Sequence, residues 1–149
     1  MKTLKFAIIG AGNFGKNYAR VLDGISGAEL VAVTAQKKES LKALKKSVPN
    51  STIVTNDIGM VLENPDVDCV IIATTPSTHF SLAKKAVEHH KHVLLEKPMV
   101  LNLDEANRLK SELRKNPVTF MVGHQYVYND YINFLKKQFA PSRTKRILK

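Results

Sequence analysis

Short apolar segments alternate with longer segments in which apolar residues recur every three or four positions. The short segments are typical of strands buried on both faces of a parallel sheet, and the longer ones of amphipathic helices. The predicted strands are KFAIIG, AELVAVT, TIVT, DCVIIAT, HVLLE and VTFMVGH. The predicted helices that follow them are NFGKNYARVLDG, KKESLKALKKS, DIGMVLEN, THFSLAKKAVEHH, LDEANRLKSELRK and NDYINFLKKQF. This alternation predicts right-handed crossovers and an α/β fold, with a doubly wound parallel sheet of six strands and helices on both faces.

Local signals mark several helix boundaries. Asn102, with Glu105 three positions later, predicts a capping box at the start of the fifth helix. Asn–Pro pairs at Asn64 and Asn116 predict the ends of the third and fifth helices. No linker interrupts the chain before residue 140, so we predict one domain over residues 1–140. Residues 141–149 then form a basic tail, or the truncated start of a further domain.

Composition narrows the choice of function class. The 149 residues suit one domain, and no apolar run approaches the roughly 20 residues of a membrane helix. The N-terminal apolar run is short and leads into glycines, which favours a first strand over a signal peptide. The net charge is +10, and the basic residues are spread over several helices. No aromatic residues are interleaved with them to stack on nucleic-acid bases, so nucleic-acid binding is the weakest alternative.

The cysteine and histidine residues indicate neither a disulfide nor a metal site. Cys69 is the only cysteine, so no intrachain disulfide can form, and a cytoplasmic location is the default expectation. His89, His90 and His92 surround Lys91 at a helix end, which we interpret as a solvated turn.

A glycine-rich turn follows the first strand. Gly10, Gly12 and Gly15 form the pattern G-x-G-x-x-G, and Asn13 and Phe14 lie at the start of the helix that it opens. In a strand–turn–helix context these glycines allow a tight turn, close approach of a pyrophosphate and close helix packing. The helix N-terminus offers free N–H groups to the phosphates. A Rossmann-type site for NAD or NADP is therefore predicted.

The end of the second strand bears on the choice between NAD and NADP. The carboxylate that usually holds the ribose hydroxyls of NAD is expected near Ala35, where none is present. Thr34, Gln36, Lys37 and Lys38 are found there instead. Nearby lysines attract a 2′-phosphate, so NADP is predicted to be accepted at least as well as NAD. Alternatively, Lys37 and Lys38 are solvated residues of a first helical turn.

Polar residues follow three later strands. The fourth strand leads to Thr74, Thr75, Pro76 and His79, the fifth to Glu96, Lys97 and Pro98, and the sixth to Gly123 and His124. Ligands of open parallel sheets bind at the carboxyl ends of the strands, so these residues are expected to converge. His79 contacts the cofactor or has a structural role, and His124 faces the substrate or is an ordinary strand-end residue.

The motifs together resemble the N-terminal domain of the glucose-fructose oxidoreductase, inositol dehydrogenase and MocA family. GAGNFG resembles its dinucleotide turn, VIIATTPSTHF its fourth strand and following helix, HVLLEKPMVLNLDEA its E-K-P segment, and FMVGHQYVYNDYINFLKK its sixth strand and last helix. The resemblance covers roughly residues 4–137. It implies reversible hydride transfer between a nicotinamide and a hydroxyl-bearing carbon of a sugar, inositol or nucleotide-sugar.

The resemblance also implies roles for individual residues. Lys97 would be the catalytic amine that hydrogen-bonds the reacting hydroxyl and helps to move its proton, Glu96 would orient Lys97 or the nicotinamide, and Pro98 would fix the chain direction. A cis Lys97–Pro98 bond is also predicted, because such bonds occur at tight functional turns. The predicted cofactor-binding residues are Gly10, Gly12, Asn13, Phe14, Gly15, Thr34, Gln36, Lys37, Lys38, Thr74, Thr75, Pro76, His79, Glu96 and Pro98.

Members of that family have a second α/β domain that supplies most substrate contacts and the usual oligomer interface. This chain ends about where that domain would begin, which suggests a fragment, a truncated product or a stand-alone cofactor-binding protein. Two functions therefore stay open: an oxidoreductase that needs a second domain for activity, and a non-catalytic NAD(P)-binding sensor or partner subunit. Exposed apolar surface without that domain would favour homo-oligomers.

Overall fold

A computed structural model describes residues 2–139, apart from the side chain of Asn13. The predicted tail at 141–149 lies outside the described residues. The strands are β1 (Leu4–Ile9), β2 (Ala28–Thr34), β3 (Ile53–Thr55), β4 (Cys69–Ile72), β5 (His92–Leu95) and β6 (Phe120–Val122). The helices are α1 (Asn13–Asp23), α2 (Lys38–Lys45), α3 (Ile58–Glu63), α4 (Pro76–Glu88), α5 (Leu103–Lys115) and α6 (Asp130–Phe139), with a 3₁₀ helix at Gln125–Tyr128.

The six strands form one sheet in the order β3-β2-β1-β4-β5-β6, and every pair is parallel. The chain winds outward in one direction from β1 to β3, then crosses back and winds the other way from β4 to β6. The predicted doubly wound, Rossmann-type sheet is thus confirmed. The direction changes between β1 and β4, and a ligand crevice is expected beyond the carboxyl ends of these two strands.

Two apolar layers cover the sheet. On one face, Ile8 and Val33 pack with Leu22 of α1 and Leu44 of α2. The opposite face, covered by α3, α4 and α5, includes Ile72. Burial of each large aliphatic side chain contributes about 1.5–3 kcal/mol, which explains why strands lined on both faces by such residues read as continuous apolar runs.

The helix boundaries predicted from Asn64, Asn102 and Asn116 agree with the structure, whereas α4 begins at Pro76 and ends at Glu88, two residues earlier at each end than predicted. Asn102 caps α5 by accepting a 2.9 Å hydrogen bond from the Glu105 amide, and Glu105 accepts in return from the Leu101 amide, one residue before the cap. Asn64 and Asn116 follow the last residues of α3 and α5. Each precedes a proline, which disfavours helical geometry in the residue before it.

The histidine-rich turn after α4 differs from its prediction. His90 has a left-handed φ of 56°, and its amide and that of Lys91 bond back to Val87 and Ala86 in a Schellman motif. Lys91 is only 8% exposed, and its ammonium donates to the carbonyls of Asn64 and Val67. The interpretation of Lys91 as part of a solvated turn was therefore wrong. Burial lowers the pKa of the Lys91 amine.

The last strand is shorter than predicted, and the last helix is not buried. β6 pairs over three residues only, and the 3₁₀ helix that follows it was not predicted. α6 buries none of its residues, and Tyr131 and Phe134 are largely exposed. Within residues 2–139, no helix is both long and apolar enough to cross a bilayer.

Candidate functional site

A cleft of about 540 Å³ lies where the sheet changes direction. Its walls come from the turn after β1, the end of β2 and the turn after β4. The residues that line it are Ile9, Gly10, Ala11, Gly12, Thr34, Ala35, Gln36, Lys37, Ser40, Ile58, Ala73, Thr74, Thr75, Thr78, Ser81 and Leu82. The cleft thus occupies the place where open parallel sheets bind their ligands.

Gly10 shapes the floor of this cleft. Its φ of 99° is unfavourable for residues with a Cβ, and a Cβ there would lie 2.7 Å from the Ala73 carbonyl oxygen. The Thr34 carbonyl accepts from the amides of both Gly10 and Ala11, at 3.2 and 3.1 Å. The residues 10–15, called here the glycine turn, are therefore held between the ends of β2 and β4.

Gly12 and Gly15 differ in what surrounds them. A Cβ at Gly12 would meet no described atom within 4 Å, so packing against the described residues does not require glycine at that position. A Cβ at Gly15 would collide with the Gly10 carbonyl, so Gly15 lets α1 approach the turn. Gly12 precedes α1 without a side-chain cap, which leaves the first amides of the helix open to an anion. The empty space at Gly12 fits a pyrophosphate approaching the backbone.

The end of β2 supplies the polar wall of the cleft. Thr34 is buried, and Gln36 and Lys37 are exposed and line the cleft. Lys38 begins α2 and is not among the lining residues, although it is exposed next to them. None of the described residues that line the cleft is Asp or Glu, so the cleft carries a lysine and no carboxylate.

The turn after β4 forms the third wall. Thr74 and Thr75 line the cleft, and Pro76 occupies the first position of α4, where its missing N–H leaves no helical hydrogen bond unmade. Thr78 donates from its hydroxyl to that of Thr74 at 2.8 Å. The hydroxyls of Thr74 and Thr78 are thereby linked along one side of the cleft.

Glu96 lies at the carboxyl end of β5, next to the end of β4. It is 6% exposed, and its amide donates to the Ile72 carbonyl. Its Oε1 accepts a 2.6 Å hydrogen bond from the Tyr18 hydroxyl, and its Oε2 accepts from the Lys97 amide at 3.2 Å. Desolvation and the bond to Glu96 raise the pKa of Tyr18 above its usual value.

Tyr18 is a site residue that sequence reasoning missed. It lies on α1 and its partner is 78 positions away, so no local pattern joins the two. The one feature of the sequence that could have indicated this role is the location of Tyr18 on the helix that follows the glycine turn. The helix that begins at the glycine turn must pass close to the neighbouring strand ends, so a phenol on it can reach their polar groups.

Lys97 is exposed, and the Lys97–Pro98 peptide bond is cis, as predicted. We refer to Glu96, Lys97 and Pro98 as the 96–98 turn. Because β4 separates β5 from β1, this turn lies about 10 Å, or two strand spacings, from the glycine turn. The two turns therefore face the same edge of the sheet, although the 96–98 turn does not line the cleft itself.

His79 connects the turn after β4 to the 96–98 turn. Its side chain is 1% exposed, with Nδ1 2.7 Å from the Pro98 carbonyl oxygen and Nε2 3.1 Å from the Thr74 carbonyl oxygen. Since both ring nitrogens face backbone groups, the structure favours the structural alternative for His79 over direct cofactor contact. His124 is exposed beyond β6.

The predicted site residues fall into two groups. Those that line the cleft are Gly10, Gly12, Thr34, Gln36, Lys37, Thr74 and Thr75. The described residues of the prediction that do not line the cleft are Phe14, Gly15, Lys38, Pro76, His79, Glu96, Lys97 and Pro98. The side chain of Asn13 lies outside the described part of the structure.

A larger hollow of about 840 Å³ lies elsewhere, between α1, the start of β2 and the segment after α2. Its rim carries charges of both signs, including Arg20, Lys46, Asp23 and Glu29. It adjoins the amino end of β2 and none of the strand carboxyl ends. We therefore assign the ligand site to the smaller cleft.

Comparison with known proteins identifies the family to which the fold belongs. Residues 4–124 match the GFO_IDH_MocA model, described as an oxidoreductase family with an NAD-binding Rossmann fold. The chain is 32% identical to glucose-6-phosphate 3-dehydrogenase of Bacillus subtilis over 149 aligned positions, covering 97% of this chain and 40% of that enzyme. It is 30% identical to inositol 2-dehydrogenase/D-chiro-inositol 3-dehydrogenase of Lacticaseibacillus casei, covering 91% and 40%.

A solved structure has the same fold. The scyllo-inositol dehydrogenase of Lactobacillus casei with bound NAD(H) and scyllo-inositol superposes with a TM-score of 0.82 at 27% identity, over 93% of this chain and 42% of that one. The chain thus spans about two fifths of the length of these relatives.

Proposed function

Because the chain belongs to the GFO_IDH_MocA oxidoreductase family, we propose that it forms the cofactor-binding part of a nicotinamide-dependent dehydrogenase. The proposed reaction transfers hydride between NAD(P) and a hydroxyl-bearing carbon of a sugar, inositol or nucleotide-sugar. The observation that carries this proposal is the cleft at the change of sheet direction, with the glycine turn on one side and the 96–98 turn two strands away.

The residues of the cleft fit a dinucleotide. Gly12 and the open start of α1 would hold the pyrophosphate, and Thr34, Gln36 and Lys37 would hold the adenine ribose. Thr74 and Thr75 would lie along the path toward the 96–98 turn. When bound, the nicotinamide supplies or accepts the hydride.

Lys97 and Glu96 are the proposed catalytic residues. The ammonium of Lys97 can donate a hydrogen bond to the oxygen of the reacting carbon and exchange a proton with it. Glu96 is held by Tyr18 and accepts from the Lys97 amide, so it fixes the backbone from which the lysine projects.

NADP is the cofactor that we favour. The described cleft lining includes Lys37 and lacks a carboxylate, so no negative charge there opposes a 2′-phosphate.

Fluorescence titration of the purified chain with NADPH and NADH tests the preference for NADP. Lys37→Ala should weaken NADPH about fivefold and leave NADH nearly unchanged. Lys110→Ala removes the same charge from an exposed position on α5 and should change neither affinity. Tighter binding of NADH than of NADPH by the unaltered chain would contradict the NADP assignment.

The alternative is a protein that binds the cofactor without catalysis. It rests on the same cleft, since all the residues that line the cleft belong to this chain and could hold a cofactor without a second domain. Turnover with a panel of polyols and nucleotide-sugars distinguishes the two functions. Cofactor reduction would support the dehydrogenase, whereas tight binding without turnover, also in the presence of any separately encoded partner domain, would support a sensor or partner subunit. A cytoplasmic location and self-association remain predictions, the second based on the exposed apolar side chains of α6.

A further inference from the structure

The Tyr18 hydroxyl is the point where the helix of the glycine turn touches the 96–98 turn. It donates to Glu96 Oε1 at 2.6 Å, and the carboxylate has the Lys97 amide on its other oxygen at 3.2 Å. One buried carboxylate therefore connects α1 to the backbone of Lys97. The connection joins the part of the site proposed for the pyrophosphate to the part proposed for the nicotinamide.

On the basis of the proposed function, we propose that Tyr18 is a positioning residue, which fixes Glu96 and thereby the nicotinamide end of the cofactor site. Tyr18 acts through Glu96. It is not assigned any contact with the reacting atoms.

The geometry makes the Tyr18 bond the stronger of the two contacts to the carboxylate. A 2.6 Å bond from a hydroxyl to a carboxylate is short and charge-assisted, whereas the amide contact at 3.2 Å is at the long end of the usual range. The terminal torsion of a glutamate is broad, so without the phenol the carboxylate can rotate away from the Lys97 amide. The raised pKa of Tyr18 keeps the phenol protonated and able to donate.

Tyr18→Phe tests this role with two ligands that share only the adenine end. In the proposed binding mode NADPH would extend from the cleft to the 96–98 turn, whereas adenosine 2′,5′-bisphosphate would occupy only the adenine end within the cleft. We expect Tyr18→Phe to weaken NADPH about tenfold, the effect of losing one hydrogen bond to a charged group, and the bisphosphate less than about twofold. The matched control is Tyr131→Phe, which removes a hydroxyl from an exposed position on α6 and should change neither affinity.

A double-mutant cycle tests whether Tyr18 acts through Glu96. In a Glu96→Ala background, Tyr18→Phe should have no further effect on NADPH binding, since the acceptor of its hydrogen bond is gone. Additive losses of the two substitutions would overturn the proposal. Equal weakening of both ligands by Tyr18→Phe, or no weakening of NADPH, would overturn it as well.

The same titrations separate this proposal from the proposed function. If the unaltered chain binds neither NADPH nor NADH, the proposed function is wrong and the role of Tyr18 is wrong with it. If the unaltered chain binds NADPH, but Tyr18→Phe does not weaken NADPH more than the bisphosphate, only the role of Tyr18 is wrong. Far-UV circular dichroism checks that Tyr18→Phe is folded. If it is not, Glu96→Ala must show the same split between the two ligands, and equal losses would refute the proposal.

Discussion

The glycine turn and the 96–98 turn lie at the same edge of the sheet but are built in opposite ways. The glycine turn depends on side chains that are absent: Gly10 has a positive φ, and a Cβ there would collide with the chain after β4. The 96–98 turn depends on side chains that arrive from elsewhere, Tyr18 from 78 positions before Glu96 and His79 from 19 positions before Pro98. The first turn is thus encoded in its own residues, and the second in its neighbours.

This difference predicts how each turn responds to substitution. Adding atoms should damage the glycine turn, whereas removing atoms at a distance should damage the 96–98 turn.

Gly10→Ala should produce the largest effect. The added Cβ would lie 2.7 Å from the Ala73 carbonyl oxygen and from Thr74 Cγ2, on a backbone with φ of 99°. Strain and overpacking together should lower the free energy of unfolding by about 3 kcal/mol or more. Urea denaturation followed by circular dichroism measures this change. A loss below about 1 kcal/mol would show that the turn can relax and that its glycine is not structurally required.

His79→Phe should come next. The substitution keeps an aromatic ring in the buried site but removes the two ring nitrogens that lie within hydrogen-bond distance of the Thr74 and Pro98 carbonyls. Loss of these contacts should reduce the free energy of unfolding by about 2 kcal/mol. His89→Phe, at an exposed position in the turn after α4, is the control in the same urea experiment. Equal stability of the two variants would contradict the bridging role of His79.

Gly12→Ala should separate binding from stability. The backbone at Gly12 has φ of −70°, and its Cβ would meet nothing, so the free energy of unfolding should change by less than about 0.5 kcal/mol. The methyl group would occupy the space proposed for the pyrophosphate, so NADPH affinity should fall about tenfold. Unchanged affinity in a fluorescence titration would remove the pyrophosphate from this position.

The pH dependence of stability should show the smallest effect. The folded pKa of Tyr18 is raised above its ordinary value of 10.0. Its stabilising contribution is therefore complete below about pH 10 and is lost as the pH rises toward the folded pKa, because the unfolded chain releases the proton first. Between about pH 8 and pH 11, unaltered protein should lose more stability than Tyr18→Phe. Parallel pH profiles from urea denaturation would argue against the Tyr18–Glu96 bond.

The sheet and the glycine turn could be predicted because their signals are local. Apolar runs such as those of β1, with Ile8, and β4, with Ile71, are dictated by burial on both faces, and the spacing of Gly10, Gly12 and Gly15 is dictated by a single turn. The cis bond before Pro98 was expected because cis X–Pro bonds occur at tight functional turns.

The partners of the 96–98 turn could not be predicted in the same way. Tyr18 looked like any residue of an amphipathic helix, since its role depends on how α1 is placed over the end of β5. Lys91 looked solvated because lysine usually is, and only the folded chain brings the carbonyls of Asn64 and Val67 to its ammonium. β6 was predicted too long, because its sequence pattern continues beyond the three residues that pair with β5.

The Tyr18–Glu96 bond also affects the availability of the neighbouring amine. Within residues 2–139, the ammonium of Lys97 forms no described ion pair, although a carboxylate precedes it in the chain. Oε1 of that carboxylate accepts from a phenol and Oε2 from a backbone amide, so each of its oxygens already has one donor. Among the described residues, no hydrogen bond or ion pair of the Lys97 ammonium has to break before an acceptor binds to it.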